Sequence, residues 1–226
     1  MKRIGLYVII FILVVLFREN ICFFYGNILG VFKLDNNYYD AVINLKNEKI
    51  KYLENEYKEY DEFSKNINIL DYDYKISKVI FKESYNSGKY KIQFGTNDDV
   101  TNGLGVVNEL GFIGKITSVN DKTSELTTLK DLKDVSVLVK DNYGKLNYDY
   151  ETNTFFISDI SNYDKVYIND EVYTSGYGTI KEKLYIGKVI KIENDIISKK
   201  VYINTAVDFN NINYILIVGD FNWYYY

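Results

Sequence analysis

Residues 169–189 read NDEVYTSGYGTIKEKLYIGKV, and residues 205–218 read TAVDFNNINYILIV. In the first stretch Val172 and Tyr173 carry β-forming side chains. Gly176 and Gly178 punctuate, and residues 184–189 are apolar again. Branched and aromatic runs bounded by glycines read as two strands joined by a turn. Glycine enters the positive-φ region without a steric penalty, so the pair can reverse a strand sharply. The reading yields a β-hairpin and nothing yet about function.

The hairpin has an echo earlier in the chain. Asn97-Asp98-Asp99-Val100 matches Asn169-Asp170-Glu171-Val172, from 97 to 169, an offset of 72. Gly103-Leu104-Gly105 matches Gly176-Tyr177-Gly178, and Gly114-Lys115-Ile116 matches Gly187-Lys188-Val189, both at an offset of 73. Turn residues recur in any β protein, but three islands in order at near-constant offset point to a duplicated unit. A repeat this long implies two similar small β domains in tandem rather than a solenoid, whose period is about 20–50 residues. On that reading Gly105 and Gly178 occupy equivalent turns. Gly114 and Gly187 occupy equivalent strand positions, and Val100 and Val172 point into the two cores. Residues 214–218 have no counterpart in either copy and are expected to return to the first barrel.

Around the hairpins lie further strand signals at residues 78–81, 89–94, 135–139, 146–150, 154–158, 199–204 and 214–218. Asn86-Ser87-Gly88 and Asn142-Tyr143-Gly144 read as turns between them. Short, evenly spaced strands suggest small closed barrels or a sandwich. The expected fold class is mainly β. An N-terminal transmembrane helix and a helical, coiled-coil segment precede two tandem small β-barrels. The expected domains are residues 1–25 (cytoplasmic tip and anchor), 33–70 (helix), 76–134 (first barrel, with 212–218 as candidate closing strand) and 135–211 (second barrel).

Residues 4–17 are fourteen residues without a charge, preceded by Lys2 and Arg3. That length lies between a signal-peptide core and a spanning helix. Large residues stand where a signal peptidase needs small ones, which favours an uncleaved anchor over a cleaved signal. Arg18 can snorkel to the far interface. Lys2 and Arg3 place the N-terminus in the cytoplasm and the head outside a plasma membrane crossed once. Cys22 is the only cysteine, so no internal disulfide framework exists. It reads as a small apolar residue at the interface or as a link between two copies.

Residues 35–67 turn polar, rich in Asn, Glu, Lys and Tyr. Ile43, Ile50 and Tyr57 are spaced by seven, as are Leu53, Tyr60 and Ile67, three positions on. These are the a and d positions of a short coiled coil. Lys46 and Ser64 interrupt the seam. A parallel homodimer through Ile43, Ile50, Leu53, Tyr57 and Tyr60 is expected. The competing reading is a single amphipathic helix packed on its own domain.

Composition narrows the chemistry. Of 226 residues, 47% are hydrophobic and 17% aromatic, ample for a core. The net charge of −4 and the lack of a basic run argue against nucleic acid. With no histidine, Ser-His-Asp and Cys-His systems are excluded, as are imidazole metal ligands. Ser175 is the best serine for a Ser-Lys peptidase, against the plainer reading of a turn hydroxyl that caps backbone amides. Gly176 and Gly178 make only a faint phosphate-cradle signal, because no Lys-Ser/Thr pair follows. Asp98, Asp99 and Asp170 carry cation-binding chemistry but more commonly stabilise turns. No cofactor and no metal are expected.

The hairpin motifs resemble the rod-shape-determining protein MreC family. NDEVYTSGYGTIKEKLYIGKV is similar to the family pattern G-D-x-V-x-T-S-G, a loop, then x-P-x-G-x-V-x-V. AVDFNNINYILIV resembles its A-x-x-D-F-x-x-L-x-x-V-x-V ending. TNDDVTNGLGVVNELGFIGKITSV resembles N-D-G-V-x-x-G-M-x-V-V-x-x-x-G-L-V-G-x-V. The residues that carry the likeness are Asn97, Asp98, Val100, Gly105, Gly114, Asp170, Val172, Thr174, Ser175, Gly176, Gly178, Gly187, Asp208 and Phe209. It spans residues 79–218. Asp99 stands where the family has Gly, and Leu184-Tyr185 where it has Ile-Pro. The resemblance implies a non-enzymatic, dimeric scaffold of the cell-wall elongation machinery. The implied partners are MreD, a class B penicillin-binding protein with its glycosyltransferase, and MreB through the membrane complex. A transport adaptor of the efflux type stays open, since such proteins also join an anchor, a coiled coil and β domains. No role is assigned to the aromatic residues 223–226.

Overall fold

The computed structural model describes residues 13, 15, 17–67, 72–83 and 87–221. The chain divides into two units between Glu59 and Tyr60. The helix α1 (Arg18–Asn66) runs for 49 residues. Glu19 in its first turn and Lys65 in its last oppose the macrodipole charges at each end. Asp61 and Lys65, four residues apart, form an ion pair on its surface. The expected helix began at residue 33; the observed one starts at Arg18. It continues through residues 26–32, between the expected anchor and the expected helical segment, where no proline stands to break it. Most of residues 4–17, the expected anchor, lies outside the described residues, as do residues 68–71 and 222–226. Among the described residues no helix is long and apolar enough to cross a membrane.

Among the described residues, twelve strands form two closed, antiparallel, six-stranded barrels. The first holds β1 (Tyr74–Lys82), β2 (Lys89–Gln93), β3 (Gly105–Val107), β4 (Phe112–Val119), β5 (Thr123–Thr128) and β12 (Tyr214–Val218). The second holds β6 (Val135–Val139), β7 (Asn142–Asp149), β8 (Thr154–Ser161), β9 (Glu171–Ser175), β10 (Glu182–Asn194) and β11 (Ser198–Thr205). Strand alternation builds each core. In β2, Tyr90 and Ile92 are buried while Lys89, Lys91 and Gln93 face water. In β6, Val135, Val137 and Val139 are buried. Closure leaves no unpaired edge, and side chains fill a lumen this narrow.

The two barrels share one cyclic order. The first runs β1-β12-β3-β4-β5-β2; the second, begun at β7, runs β7-β6-β9-β10-β11-β8. In this correspondence β12 takes the place of β6. The first barrel is therefore a circularly permuted version of the second, closed by a strand from the far end of the chain. β12 pairs with β1, Leu216 opposite Ile76, and with β3, Ile217 opposite Val106. All five of its residues are buried.

The register corrects the repeat as read from sequence. Gly114 pairs with Thr128 and Gly187 with Thr205, so these two glycines are equivalent. The other islands do not correspond. The Gly103 N–H donates to Ile116 O (2.8 Å), and the Ile116 N–H donates to Leu104 O (2.9 Å). In the second barrel the Asn169 N–H donates to Val189 O (2.8 Å), and the Val189 N–H donates to Asp170 O (2.9 Å). Gly103 (φ 94°) and Asn169 (φ 70°) both sit in the left-handed region. The structural match is thus Gly103-Leu104-Gly105-Val106 with Asn169-Asp170-Glu171-Val172, from 103 to 169, an offset of 66. Gly105 is a buried strand residue, whereas Gly178 is a turn residue at φ 89°. Val100 and Val172 are both fully buried, as expected, but the position equivalent to Val172 is Val106 rather than Val100. The β9–β10 connection has absorbed the extra residues, since Val106 faces Gly114 and Val172 faces Gly187.

One turn also differs. Val139 pairs with Asn142, so the β6–β7 turn is Lys140-Asp141, with Lys140 at φ 53°. Asn142, Tyr143 and Gly144 lie in β7. A two-residue hairpin needs positive φ in its loop, and here a lysine supplies it.

Candidate interaction surface

The Thr-Ser-Gly loop that follows β9 is held by its own side chains. Thr174 is buried; its Oγ1 accepts the Leu184 N–H (2.9 Å) and donates to Lys181 O (2.7 Å). Ser175 Oγ accepts the Tyr177 N–H (3.2 Å), which is turn chemistry. Tyr177 at the tip is 85% exposed. Between the barrels the loop lines an open cleft of about 550 Å3 with residues 101–104 and Gly219-Asp220. Lys181 closes one side by an ion pair to Asp220 (2.7 Å). The Tyr72 hydroxyl donates to Glu182 O (3.2 Å). A side chain on Gly105 would approach Leu184 (3.2 Å), and one on Gly111 would press on the backbone of Tyr185. The barrels therefore meet through backbone as well as side chains.

On the other side of this junction the Asp208-Phe209 pair ties the barrels together. Asp208 Oδ1 accepts the Asn210 N–H (3.0 Å), and Phe209 is buried against Phe155 with ring centroids 5.7 Å apart. The Tyr90 hydroxyl of the first barrel donates to Phe209 O. Burial, and then the Asp208 carboxylate, push the Tyr90 phenol above its ordinary range. A phenol that stays protonated keeps donating.

The remaining acidic motif residues are turn builders. Asp98 Oδ2 accepts the Gly95 N–H (2.9 Å), and Asp99 holds φ 58° beside Lys75. Asn97 lies in the same 3-10 turn, Thr96–Asp98, and the Val100 N–H donates to Gly95 O (3.1 Å). Asp170 accepts the Tyr167 N–H (2.7 Å) and pairs with Lys140 (2.9 Å). Among the described residues no group of three His, Cys, Asp or Glu side chains could hold a metal.

Ile43, Ile50, Leu53, Tyr57 and Tyr60 lie on α1 with exposures between 41% and 71%. Tyr60 differs from the other four. Its ring packs edge-to-face on Tyr214 of β12 (5.8 Å), and Phe63 packs on the same ring (5.8 Å). Ile67 also packs against the core of the head. The last part of the heptad pattern is therefore spent on the barrel. This end of the helix follows the competing reading, a helix packed on its own domain; sequence reasoning missed Tyr72, Lys181 and Asp220. These partners are far apart in sequence and carry no local signal.

The profile described as "Rod shape-determining protein MreC, barrel core" matches residues 79–219, which begin in β1 and end just past β12. The chain belongs to the MreC family. The matched region thus runs from within β1 through both barrels to the closing strand. The cell shape-determining protein MreC of Listeria monocytogenes is 29% identical over 230 residues, covering 91% of this chain and 78% of that protein. A solved structure of MreC from the same organism has 25% identity and a TM-score of 0.61, covering 76% of this chain and 90% of that one. A complex between penicillin-binding protein PBP2 and MreC from Helicobacter pylori matches in fold, with 16% identity and a TM-score of 0.54 over 66% of this chain and 99% of that one.

Proposed function

We propose that this MreC-family chain is a non-catalytic scaffold of the cell-wall elongation complex. It maintains cell shape by holding peptidoglycan-synthesising enzymes together. The observation that carries this reading is the family match over a double barrel whose family-motif residues serve turns, cores and the junction. Ser175 is held as a turn acceptor, which speaks for contact rather than a Ser-Lys peptidase. The family assignment likewise favours a cell-shape role over a transport adaptor.

The Helicobacter pylori complex supports a penicillin-binding protein as partner, and the family resemblance adds that it is of class B and acts with its glycosyltransferase. MreD and, through the membrane complex, MreB complete the set. Lys2 and Arg3 favour a single-pass topology with the N-terminus inside and the head outside. The exposed Ile43, Ile50, Leu53 and Tyr57 support parallel pairing of two anchored copies. Tyr60 contributes less, since Tyr214 already engages it. The test is genetic and biochemical. The chain should restore rod shape to cells depleted of their own MreC. Cross-linked membranes should yield the penicillin-binding protein and MreD with it. Rescue of shape without either partner would refute the scaffold reading.

A further inference from the structure

The linker from β5 to β6 crosses β7 and forms an open groove of about 340 Å3. Its walls include Lys130, Asp131, Lys133, Lys145, Asn147 and Tyr150. A groove this size holds a small ligand of one or two rings. Its floor is aromatic and braced. Tyr148 rests on Phe155 with centroids 4.6 Å apart, and Tyr150 stands edge-on to Tyr148 (4.8 Å, 85°). The Tyr150 hydroxyl reaches Lys130 O (2.9 Å) and the Asp131 carboxylate. The ring is thus fixed at its polar end while 58% of the residue stays exposed.

The carboxylates around the groove are already used. Asp131 takes the Tyr150 hydroxyl on one oxygen and the Gly88 N–H (3.0 Å) on the other. Asp134 pairs with Lys145. The Lys130 amine lies over the Tyr148 and Phe209 rings (5.9 and 5.7 Å), and neither it nor Lys133 has a carboxylate at ion-pair distance among the described residues. Lys130, Lys133 and Lys145 stand against Asp131 and Asp134 in the groove wall, so the groove keeps one net positive charge. Asn147 Nδ2 donates to Lys145 O (2.9 Å) and Ser158 Oγ (3.0 Å), which leaves its Oδ1 to accept from a ligand.

We propose that this groove binds an anionic saccharide. One sugar ring lies on Tyr150, its carboxylate or phosphate meets Lys130 and Lys133, and a hydroxyl or amide N–H donates to Asn147 Oδ1. A sugar presents an apolar C–H face beside a polar rim, which matches an exposed ring next to an amide and two amines. The cell-wall reading above bears only on where such a ligand comes from. The shared chemistry has two sources, the acidic amino sugars of wall glycan and a sugar phosphate of a precursor.

The experiment is saturation-transfer NMR on the purified full chain in detergent. Three probes are used: a muramic-acid-containing tetrasaccharide, a neutral N-acetylglucosamine tetrasaccharide and UDP-N-acetylglucosamine. Saturable transfer from sugar protons is expected for at least one charged probe below about 10 mM, with weaker binding of the neutral one. Preference for the muramic probe assigns wall glycan, and preference for the nucleotide sugar assigns a phosphate source. Tyr150→Ala should weaken binding by about threefold or more through the lost ring contact, while Tyr150→Phe, which keeps the ring, should retain it. Lys130→Ala with Lys133→Ala should weaken charged probes about fivefold or more and the neutral probe little. Thermal melts of each variant separate lost binding from lost folding. No saturable transfer, binding indifferent to these variants, or equal displacement of the neutral probe by inorganic phosphate would overturn the proposal. If the chain rescues cell shape yet binds no probe, the scaffold reading stands and the saccharide site falls.

Discussion

Gly114 and Gly187 give the sharpest test of the two-barrel register. A Cβ on Gly187 would lie 2.9 Å from Asn204 C and 2.9 Å from Thr205 Cα, and closer still to Asn204 O. A Cβ on Gly114 would lie 2.8 Å from Thr128 Cα and 2.9 Å from Thr127 C, and closer still to Thr127 O. Ordinary carbon contacts are about 3.5–4.0 Å, so each strand pair would have to open by roughly 1 Å. The obstacle is backbone, which cannot rotate aside as a side chain can. Overpacking of this kind costs about 1–3 kcal/mol, and each ladder hydrogen bond that is lost adds about 1 kcal/mol. Replacing glycine by alanine returns about 0.4–1 kcal/mol by restricting the unfolded chain. The net expectation for Gly114→Ala or Gly187→Ala is a loss of about 2–3 kcal/mol. For a head of this size that lowers Tm by roughly 5–10 °C. Gly26 in α1 has nothing near its Cβ position, so Gly26→Ala should stabilise the helix by about 0.5–1 kcal/mol and serves as the control. Thermal unfolding followed by near-ultraviolet circular dichroism reads the head. A shift under about 2 °C for both strand glycines, or a rise, would show the register to be wrong.

Val172 is fully buried, and Val172→Ala should cost about 1–3 kcal/mol in urea unfolding; Val106→Ala should match it, as its counterpart in the first barrel. Ending the chain at residue 213 removes β12 and opens the first barrel between β1 and β3. Hydrogen exchange should then lose protection at Val106 and Ile76, and retained protection would contradict the closure. Ile50→Asp with Leu53→Asp puts charges into the α1 seam at a cost of several kcal/mol to pairing, so the full chain in detergent should sediment as a monomer. A wild-type chain that is already monomeric would refute the dimer. Burial, then the bond to Asp131, raises the Tyr150 phenol to about 12, and the bond to Glu171, then burial, raises Tyr173 to about 12. A raised folded-state pKa contributes stability that is complete below about pH 10 and is lost as pH climbs towards 12. Ultraviolet titration should show both phenols ionising late. Asp131→Asn and Glu171→Gln should each move one of them down, and no movement would refute the assignment.

Much of the head was legible because its signals are local. Alternation in KYKIQ and VSVLV marks strands with one face inside, and the pleat makes that pattern hard to read otherwise. The Asp208-Phe209 pair and the Thr-Ser-Gly loop carried the family resemblance in a few adjacent residues. The candidate groove was not legible, because Tyr150, Asp131 and Lys130 meet only where a linker crosses a strand. The heptads of α1 were visible, but whether Tyr60 faces a second chain or Tyr214 is a tertiary choice.

The limit is clearest in the repeat. By itself the sequence determined that Gly176 and Gly178 turn the chain after β9, that β strands recur in two sets, and that the run YILIV is apolar throughout. Local backbone sterics and burial decide those features, and they act within a few residues. Only the tertiary structure decided that Gly103 matches Asn169, because hydrogen-bond register depends on which strand lies alongside, not on the spacing of similar letters. It alone placed β12 between β1 and β3. A five-residue apolar strand satisfies its backbone wherever a barrel lacks one strand, and the first barrel, begun at β1, lacks one.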